Sequence, residues 1–189
     1  SSRKKETAEK FAAEFNIPNR HIGCESLAGD KDVDVVYIAT PHPNHKDETI
    51  ACLSAGKAVL TEKPFAVNSS QAAEMIQCAK KNNRFLMEAM WMYFMPAIRK
   101  IREIVASGIL GDIRMVTANF CFNKDPDPDG RLINPMLAGG TLLDIGVYDI
   151  AFAHLVFAAA PQKIASTAYM GPTGVDEQAS IILEYDGGR

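Results

Sequence analysis

Two polar segments follow short apolar runs, at the places where β-strands are expected to end. The run at 33–39 precedes Thr-Pro-His-Pro-Asn-His (residues 40–45), and the run at 58–61 precedes Glu62-Lys63-Pro64. Ligands of open parallel sheets bind at the carboxyl ends of the strands. A lysine followed there by a proline therefore predicts a residue that takes part in chemistry or in ligand binding.

A second candidate group follows the Gly139-Gly140 pair. A helix is predicted over 141–157, and Asp144 and Tyr148 are four residues apart on it, so they share one face. A carboxylate and a phenol on one face could bind a hydroxyl compound and move a proton. A tyrosine that merely packs the helix against a sheet would fit the same pattern.

Composition excludes several classes of protein. The 189 residues are 47% hydrophobic with a net charge of −3, which is typical of a globular protein and opposes a nucleic-acid surface. No apolar run reaches the roughly 18 residues of a membrane helix, and the first residues do not resemble a signal peptide. The four cysteines are widely spaced, which favours reduced thiols. A cytoplasmic protein without nucleic-acid or membrane partners is expected.

The first half of the chain alternates helices and strands, a pattern that indicates half of a doubly wound α/β sheet. A glycine or proline, or Asn68 or Ser69 as a cap, sets most boundaries. The predicted order is a helix at 4–15, a buried strand at 33–39, a helix at 45–55, a strand at 58–61, a helix at 70–82 and a strand at 84–90.

The pattern changes near residue 90, which predicts a second domain. It comprises a helix at 94–107, an alternating strand at 112–123, a loop at 125–130, the helix at 141–157, and antiparallel strands at 163–170 and 179–185 joined near Gly171–Gly174. The 189 residues contain no Gly-x-Gly-x-x-Gly turn to cradle a dinucleotide phosphate. Both ends of the chain also suggest an internal fragment, expected to be inactive alone.

Four segments together resemble the glucose-fructose oxidoreductase/inositol dehydrogenase family, and within it the dihydrodiol dehydrogenase/D-xylose dehydrogenase branch. The segments are residues 40–45, Glu62-Lys63-Pro64, Met87-Glu88-Ala89-Met90-Trp91, and Gly-Gly-Thr-Leu-Leu-Asp-Ile-Gly-Val-Tyr at 139–148. The resemblance implies an incomplete Rossmann domain over 1–90 and a partial α+β substrate domain over 91–189, with a mostly antiparallel sheet. It also implies a homodimer.

The resemblance assigns proton transfer to Tyr148. Most members of the family carry a histidine at this position. A phenol ionises only near pH 10, so it needs a neighbouring positive charge to act as a base at neutral pH. The resemblance supplies Lys63 as that charge. It also implies that substrate binds to Asp144, Trp91, Arg114 and Phe120.

The resemblance implies coenzyme contacts at the carboxyl ends of the strands. Ser2 and Arg3, placed before the first helix, favour the 2′-phosphate of NADP, although a helix cap beside a solvated arginine would look the same. Tyr37 either lines the coenzyme cleft or satisfies a backbone group. The remaining predicted coenzyme residues are Thr40, Pro41, His45, Glu62, Lys63 and Pro64, and no metal ligands are expected.

The predicted function is an NADP-dependent oxidoreductase that oxidises aromatic trans-dihydrodiols to catechols or aldopyranoses such as D-xylose to lactones. Two alternatives stay open: a catalytically silent binding or regulatory relative, and a metal-dependent hydrolase that uses His42, His45 and Glu48. The chain departs from the branch at Tyr93, where an arginine is usual, and this leaves the substrate preference open.

Overall fold

A computed structural model describes residues 1–123 and 127–189 of the chain. It forms two compact units, Ser1–Ala89 and Met90–Arg189. Of the predicted loop at 125–130, residues 125 and 126 lie outside the described residues. The rest of that loop is a turn in which the Gly130 N–H donates to the Asp127 carbonyl.

The first unit is a three-stranded parallel sheet with helices between the strands, as the alternating pattern predicts. The strands pair in the order β1-β2-β3, with Ile38 opposite Thr61 and Glu62 opposite Ala89. The elements are α1 (Lys5–Glu14), α2 (Gly23–Ala28), β1 (Val35–Ile38), α3 (His45–Ser54), β2 (Ala58–Glu62), α4 (Ser69–Asn82) and β3 (Leu86–Ala89).

Local signals set the boundaries of α4. The Asn68 side chain accepts a hydrogen bond of 2.9 Å from the Gln71 N–H, the predicted capping arrangement. Asn83 ends the helix in the left-handed conformation, with φ of 49°. Helix α2 was not predicted, because this six-residue helix buries one side chain, Ala28, and so carries no periodic pattern.

The core of the first unit lies on one face of β1. Val36 and Ile38 are buried with Leu53 of α3, whereas Val35 and Tyr37 are 59% and 55% exposed. The prediction of a buried strand therefore holds for one face of β1, whereas the side chains of the other face are exposed.

The second unit combines helical segments with a β-hairpin. Its elements are a 3₁₀ turn (Trp91–Phe94), α5 (Pro96–Ala106), a 3₁₀ turn (Pro135–Leu137), a π-helical turn (Leu142–Gly146), α6 (Val147–Phe157), β4 (Lys163–Met170) and β5 (Asp176–Glu184). The antiparallel hairpin pairs Lys163 with Glu184 and confirms the prediction of two strands joined near Gly171–Gly174.

The predicted strand at 112–123 is wrong, since this segment has no regular secondary structure. Sequence alternation creates a strand only where a neighbouring strand takes up its hydrogen bonds. In the described part of the second unit, β4 and β5 pair with each other. The backbone of Phe120 instead bonds to the carboxyl group of Asp149.

One helical segment, Pro135–Phe157, is long and apolar enough by length and composition to cross a membrane. Its 23 residues include the 3₁₀, π and α6 turns, and its most apolar window is 17% buried within the chain. Core helices of globular proteins pass the same test. The absence of a membrane partner stays a prediction.

Candidate active site

The first unit brings two predicted coenzyme segments to one edge of its sheet. Because β1 and β2 are parallel and in register, Thr40 lies just beyond the end of β1, beside Glu62-Lys63-Pro64 at the end of β2. The Lys63–Pro64 peptide bond is cis, and Pro64 is fully buried. The lysine is therefore followed directly by a well-packed proline.

The Glu62 carboxylate braces this edge. Its Oε1 atom accepts a hydrogen bond from the Tyr37 hydroxyl, and its Oε2 atom accepts one of 3.0 Å from the Lys63 backbone N–H. The hydrogen bond to Glu62, more than burial, raises the pKa of Tyr37 to about 12. The hydroxyl partner of Tyr37 is thus a side chain rather than a backbone group, and Tyr37 stays a donor at neutral pH.

His45 connects the two strand-end segments. Its ring is fully buried, with Nδ1 lying 2.9 Å from the Pro64 carbonyl oxygen and Nε2 lying 2.9 Å from the Thr40 carbonyl oxygen. Both contacts are with backbone acceptors, so the ring holds the two segments together. Its place beside a coenzyme stays a prediction.

These contacts leave little support for a metal-dependent hydrolase. The ring nitrogens of His45 face carbonyl oxygens, and Glu48 accepts a hydrogen bond of 2.8 Å from the Thr40 hydroxyl. Among the described residues, no three histidine, cysteine or acidic side chains form a group that could hold a metal ion.

Ser2 and Arg3 lie just before α1. The Ser2 N–H donates to the His21 carbonyl, and the Gly23 N–H donates to the Ser2 carbonyl at 2.9 Å, so Ser2 forms a parallel bridge next to Ile22. The N-cap of α1 is Lys4, which makes no side-chain capping bond. Ser2 is therefore not the helix cap. The Arg3 side chain is exposed, and a coenzyme contact of either residue stays a prediction.

The second unit brings two other predicted residues, Trp91 and Phe120, into contact with Tyr148. The Trp91 Nε1–H donates to the Tyr148 Oη atom at 2.7 Å, and the two rings are 5.6 Å apart edge to face. The Phe120 ring lies 5.7 Å from the Tyr148 ring. Trp91 and Phe120 are 51% and 45% exposed, so this aromatic group is open to a ligand within its own unit.

Asp144 lies on the π-helical turn before Tyr148. It is 5% exposed, and its Oδ1 atom accepts a hydrogen bond of 2.6 Å from Nη1 of Arg131. The predicted regular helix starts instead with a π turn, in which the Val147 N–H reaches the Leu142 carbonyl. Such turns occur frequently at functional sites.

Two further positions in the second unit have structural partners. Arg114, a predicted substrate residue, donates to Asp112 and to the Gly187 carbonyl, both at 2.9 Å. Tyr93, which replaces the usual arginine of the branch, donates its hydroxyl to the Ala151 carbonyl at 3.0 Å. Tyr93 thus connects the 3₁₀ turn Trp91–Phe94 to α6.

Sequence reasoning missed three residues of these sites. Glu88 accepts the Phe65 N–H at 2.9 Å, and burial raises its pKa; its charge within the apolar strand β3 was the available signal. Burial also raises the pKa of Asp149, which fixes Phe120. Arg131 lies in a polar loop and gave no signal.

Comparison with known protein families gives a match for each half of the chain. Residues 1–90 match the oxidoreductase family with an NAD-binding Rossmann fold, and residues 98–189 match the GFO/IDH/MocA C-terminal domain. Together the two matches take in nearly the whole chain. The chain belongs to the GFO/IDH/MocA family of oxidoreductases.

Individual relatives make the similarity more specific. The chain is 44% identical over 182 residues to trans-1,2-dihydrobenzene-1,2-diol dehydrogenase of Mus musculus, covering 96% of this chain and 54% of that protein. It superposes with a TM-score of 0.87 and 29% identity on a 3-ketoreductase from Actinomadura kijaniata in complex with NADP, covering 99% and 57%. For aldose-aldose oxidoreductase from Caulobacter crescentus complexed with glycerol, the TM-score is 0.86, the identity 26%, and the coverage 99% and 58%. The chain thus spans about half the length of these relatives.

Proposed function

We propose that the protein carrying this sequence is an NADP-dependent dehydrogenase for secondary alcohols. Its substrates are trans-dihydrodiols of aromatic hydrocarbons, oxidised to catechols, or aldopyranoses such as D-xylose, oxidised to lactones. The observation that carries this proposal is the position of the Tyr148 hydroxyl. It accepts a hydrogen bond from the Trp91 N–H, and the Phe120 ring packs against the Tyr148 ring. The names of the dihydrodiol and aldose relatives support the substrate class.

Tyr148 is assigned the proton of the substrate hydroxyl. The Trp91 N–H, which donates to Oη at 2.7 Å, would hold that oxygen in one orientation. Asp144, one turn earlier, is assigned to a substrate hydroxyl, and the open faces of Trp91 and Phe120 to the ring of the substrate. Bound NADP would supply the hydride acceptor.

The first unit is assigned to the coenzyme. Arg3 and Ser2 would take the 2′-phosphate, and the braced edge of Tyr37, Glu62 and Lys63 would hold the rest of the coenzyme near the strand ends. Thr40, Pro41, Pro64 and His45 keep this edge in place. The whole protein is proposed to be a homodimer and to reside in the cytoplasm.

The decisive experiment uses the whole natural protein and Tyr148→Phe. The variant keeps the ring but lacks the group that takes the proton, so kcat/KM should fall by about 10²–10⁴-fold. Affinity for NADP should stay unchanged in calorimetry. Tyr169→Phe, which alters an exposed tyrosine of β4, is the matched control and should behave as the wild type.

The substrate panel includes D-xylose and a trans-dihydrodiol, with NADPH absorbance as the readout. Near-normal turnover by Tyr148→Phe on both substrates would overturn the assignment of the base. A wild-type protein that binds NADP but oxidises no member of the panel would indicate the silent relative instead.

A further inference from the structure

Arg131 makes a close polar contact with a predicted substrate residue. Its Nη1 atom lies 2.6 Å from Oδ1 of Asp144. The two side chains differ in environment, because that of Arg131 is 61% exposed while that of Asp144 is 7% exposed. The guanidinium group therefore reaches the buried carboxylate from the open side of the second unit.

The Gly139-Gly140 pair places the backbone of Arg131. The Gly140 N–H donates to the Leu132 carbonyl at 2.8 Å, and a Cβ atom at position 139 would lie 2.7 Å from that carbonyl oxygen. Only glycine allows the loop to approach this closely. The Gly140 carbonyl then accepts the Asp144 N–H at 3.1 Å, so one short segment fixes both partners of the ion pair.

Strand β5 also contacts the segment that begins at Gly139-Gly140. Asp176 of β5 accepts the Leu142 N–H at 2.6 Å, and Gly140 has φ of 122°. A Cβ atom at Gly140 would clash with the Asp176 carboxylate. The start of the π turn is thus held on one side by the loop that carries Arg131 and on the other by Asp176 of the β4–β5 hairpin.

We propose that Arg131 is a positioning residue for the substrate site and acts through Asp144. This inference rests on the proposed function of Asp144 as a ligand of substrate hydroxyls. A carboxylate with Oδ1 held by a guanidinium keeps one orientation, so a hydroxyl group meets it in one geometry. The substrate class it serves is a compound with neighbouring hydroxyl groups, cyclic diol or sugar.

The test is a double-mutant cycle in the whole natural protein: wild type, Arg131→Gln, Asp144→Asn and the double variant. Calorimetry measures D-xylose binding to the NADPH-loaded protein, in which no oxidation can occur. Steady-state kinetics give KM and kcat for D-xylose and a trans-dihydrodiol. Arg131→Lys tests rescue by a conservative cation, and Arg102→Gln, which alters an exposed arginine of α5, is the control.

Arg131→Gln should raise the Kd and KM roughly tenfold, as expected for one lost charge-assisted hydrogen bond, while kcat changes much less. Arg131→Lys should recover most of the affinity, and Arg102→Gln should match the wild type. In the Asp144→Asn background, Arg131→Gln should have little further effect, because the two residues act as one unit.

Unchanged affinity in Arg131→Gln, or equal losses in both backgrounds, would overturn the inference while leaving the proposed dehydrogenase intact. A wild type that binds D-xylose but oxidises neither substrate would instead refute the proposed function, and the binding cycle would still decide the role of Arg131. A wild type that binds neither compound would refute the assignment of Asp144 and with it the inference.

Discussion

Three predicted site residues are each held by a neighbour that their own motif does not contain. Tyr148 is held by Trp91 and Asp144 by Arg131, while Glu62 is held by Tyr37. Hydrogen bonds of this kind fix the rotamer of a reactive group before a ligand arrives, which is what orientation requires. At the scale of residues, the partners matter as much as the motif.

The coenzyme preference is expected to depend on Arg3. Arg3→Ala in the whole protein should weaken NADP by roughly 10- to 100-fold and NAD much less, because only NADP carries the 2′-phosphate. Calorimetry with both coenzymes measures the two affinities. Lys10→Ala, an exposed change on α1, serves as the control. Equal weakening of both coenzymes would make Arg3 a structural residue.

The Tyr37–Glu62 hydrogen bond gives a titration that can be measured directly. The pKa of Tyr37, about 12, should fall towards the ordinary value of 10.0 in Glu62→Gln, since the hydrogen bond to the carboxylate is the largest cause of the shift. Because the pKa of Tyr37 is raised in the fold, the Tyr37–Glu62 hydrogen bond contributes fully to stability below pH 10.0. This contribution is lost as the pH rises through about 12.

Ultraviolet difference titration of the tyrosines follows this change, and Tyr37→Phe identifies the signal. If the titration curve of Glu62→Gln coincides with that of the wild type, the hydrogen bond does not control the ionisation of Tyr37.

At the scale of elements, the Gly139-Gly140 pair has a packing role as well as a helix-starting role. The loop carrying Arg131 contacts the pair through backbone atoms, and β5 contacts it through Asp176. The π turn that follows carries Asp144, so the site is assembled where a loop, a hairpin strand and a helix start meet within the second unit.

Gly139→Ala should destabilise the protein by about 1–3 kcal/mol, the range for an added group in a well-packed site. The new Cβ atom would lie 2.7 Å from the Leu132 carbonyl oxygen, and backbone atoms cannot move aside cheaply. Gly29→Ala is the control, because its Cβ would lie 3.4 Å from the nearest atom, an ordinary contact. Urea unfolding measures the free energy of unfolding of both variants. Equal values for the two variants would contradict the packing argument.

At the scale of the whole molecule, the chain contains two units of one family but spans about half the length of its relatives. The first unit presents Val35 and Tyr37 on an uncovered sheet face, and the second presents an exposed hairpin with Ile182 71% exposed. Apolar surface of this extent favours association with other chains or segments.

The 189-residue chain by itself should bind NADP weakly and should not turn over substrate. It contains no Gly-x-Gly-x-x-Gly turn, and such a turn supplies most backbone donors to the coenzyme pyrophosphate. Calorimetry of the isolated chain beside the whole protein measures the difference. Micromolar affinity in the isolated chain would show that the remaining loops suffice.

The sequence by itself determined the parallel sheet, the capped helix α4 and the β4–β5 hairpin. Each follows from a local pattern, such as an apolar run, the Asn68 cap or the glycines at 171 and 174, and local patterns act between neighbouring residues. The family motifs also located Tyr148 and Lys63 as candidates, and their roles stay predictions.

Only the tertiary structure decided which of these elements find partners. The alternating segment at 112–123 forms no strand, because the hairpin pairs with itself and Asp149 holds the Phe120 backbone. Arg131 meets Asp144 because a glycine lets two loops touch, and no property of the residues around Arg131 encodes that contact. Such contacts depend on the packing of segments distant in sequence, so a local pattern cannot reveal them.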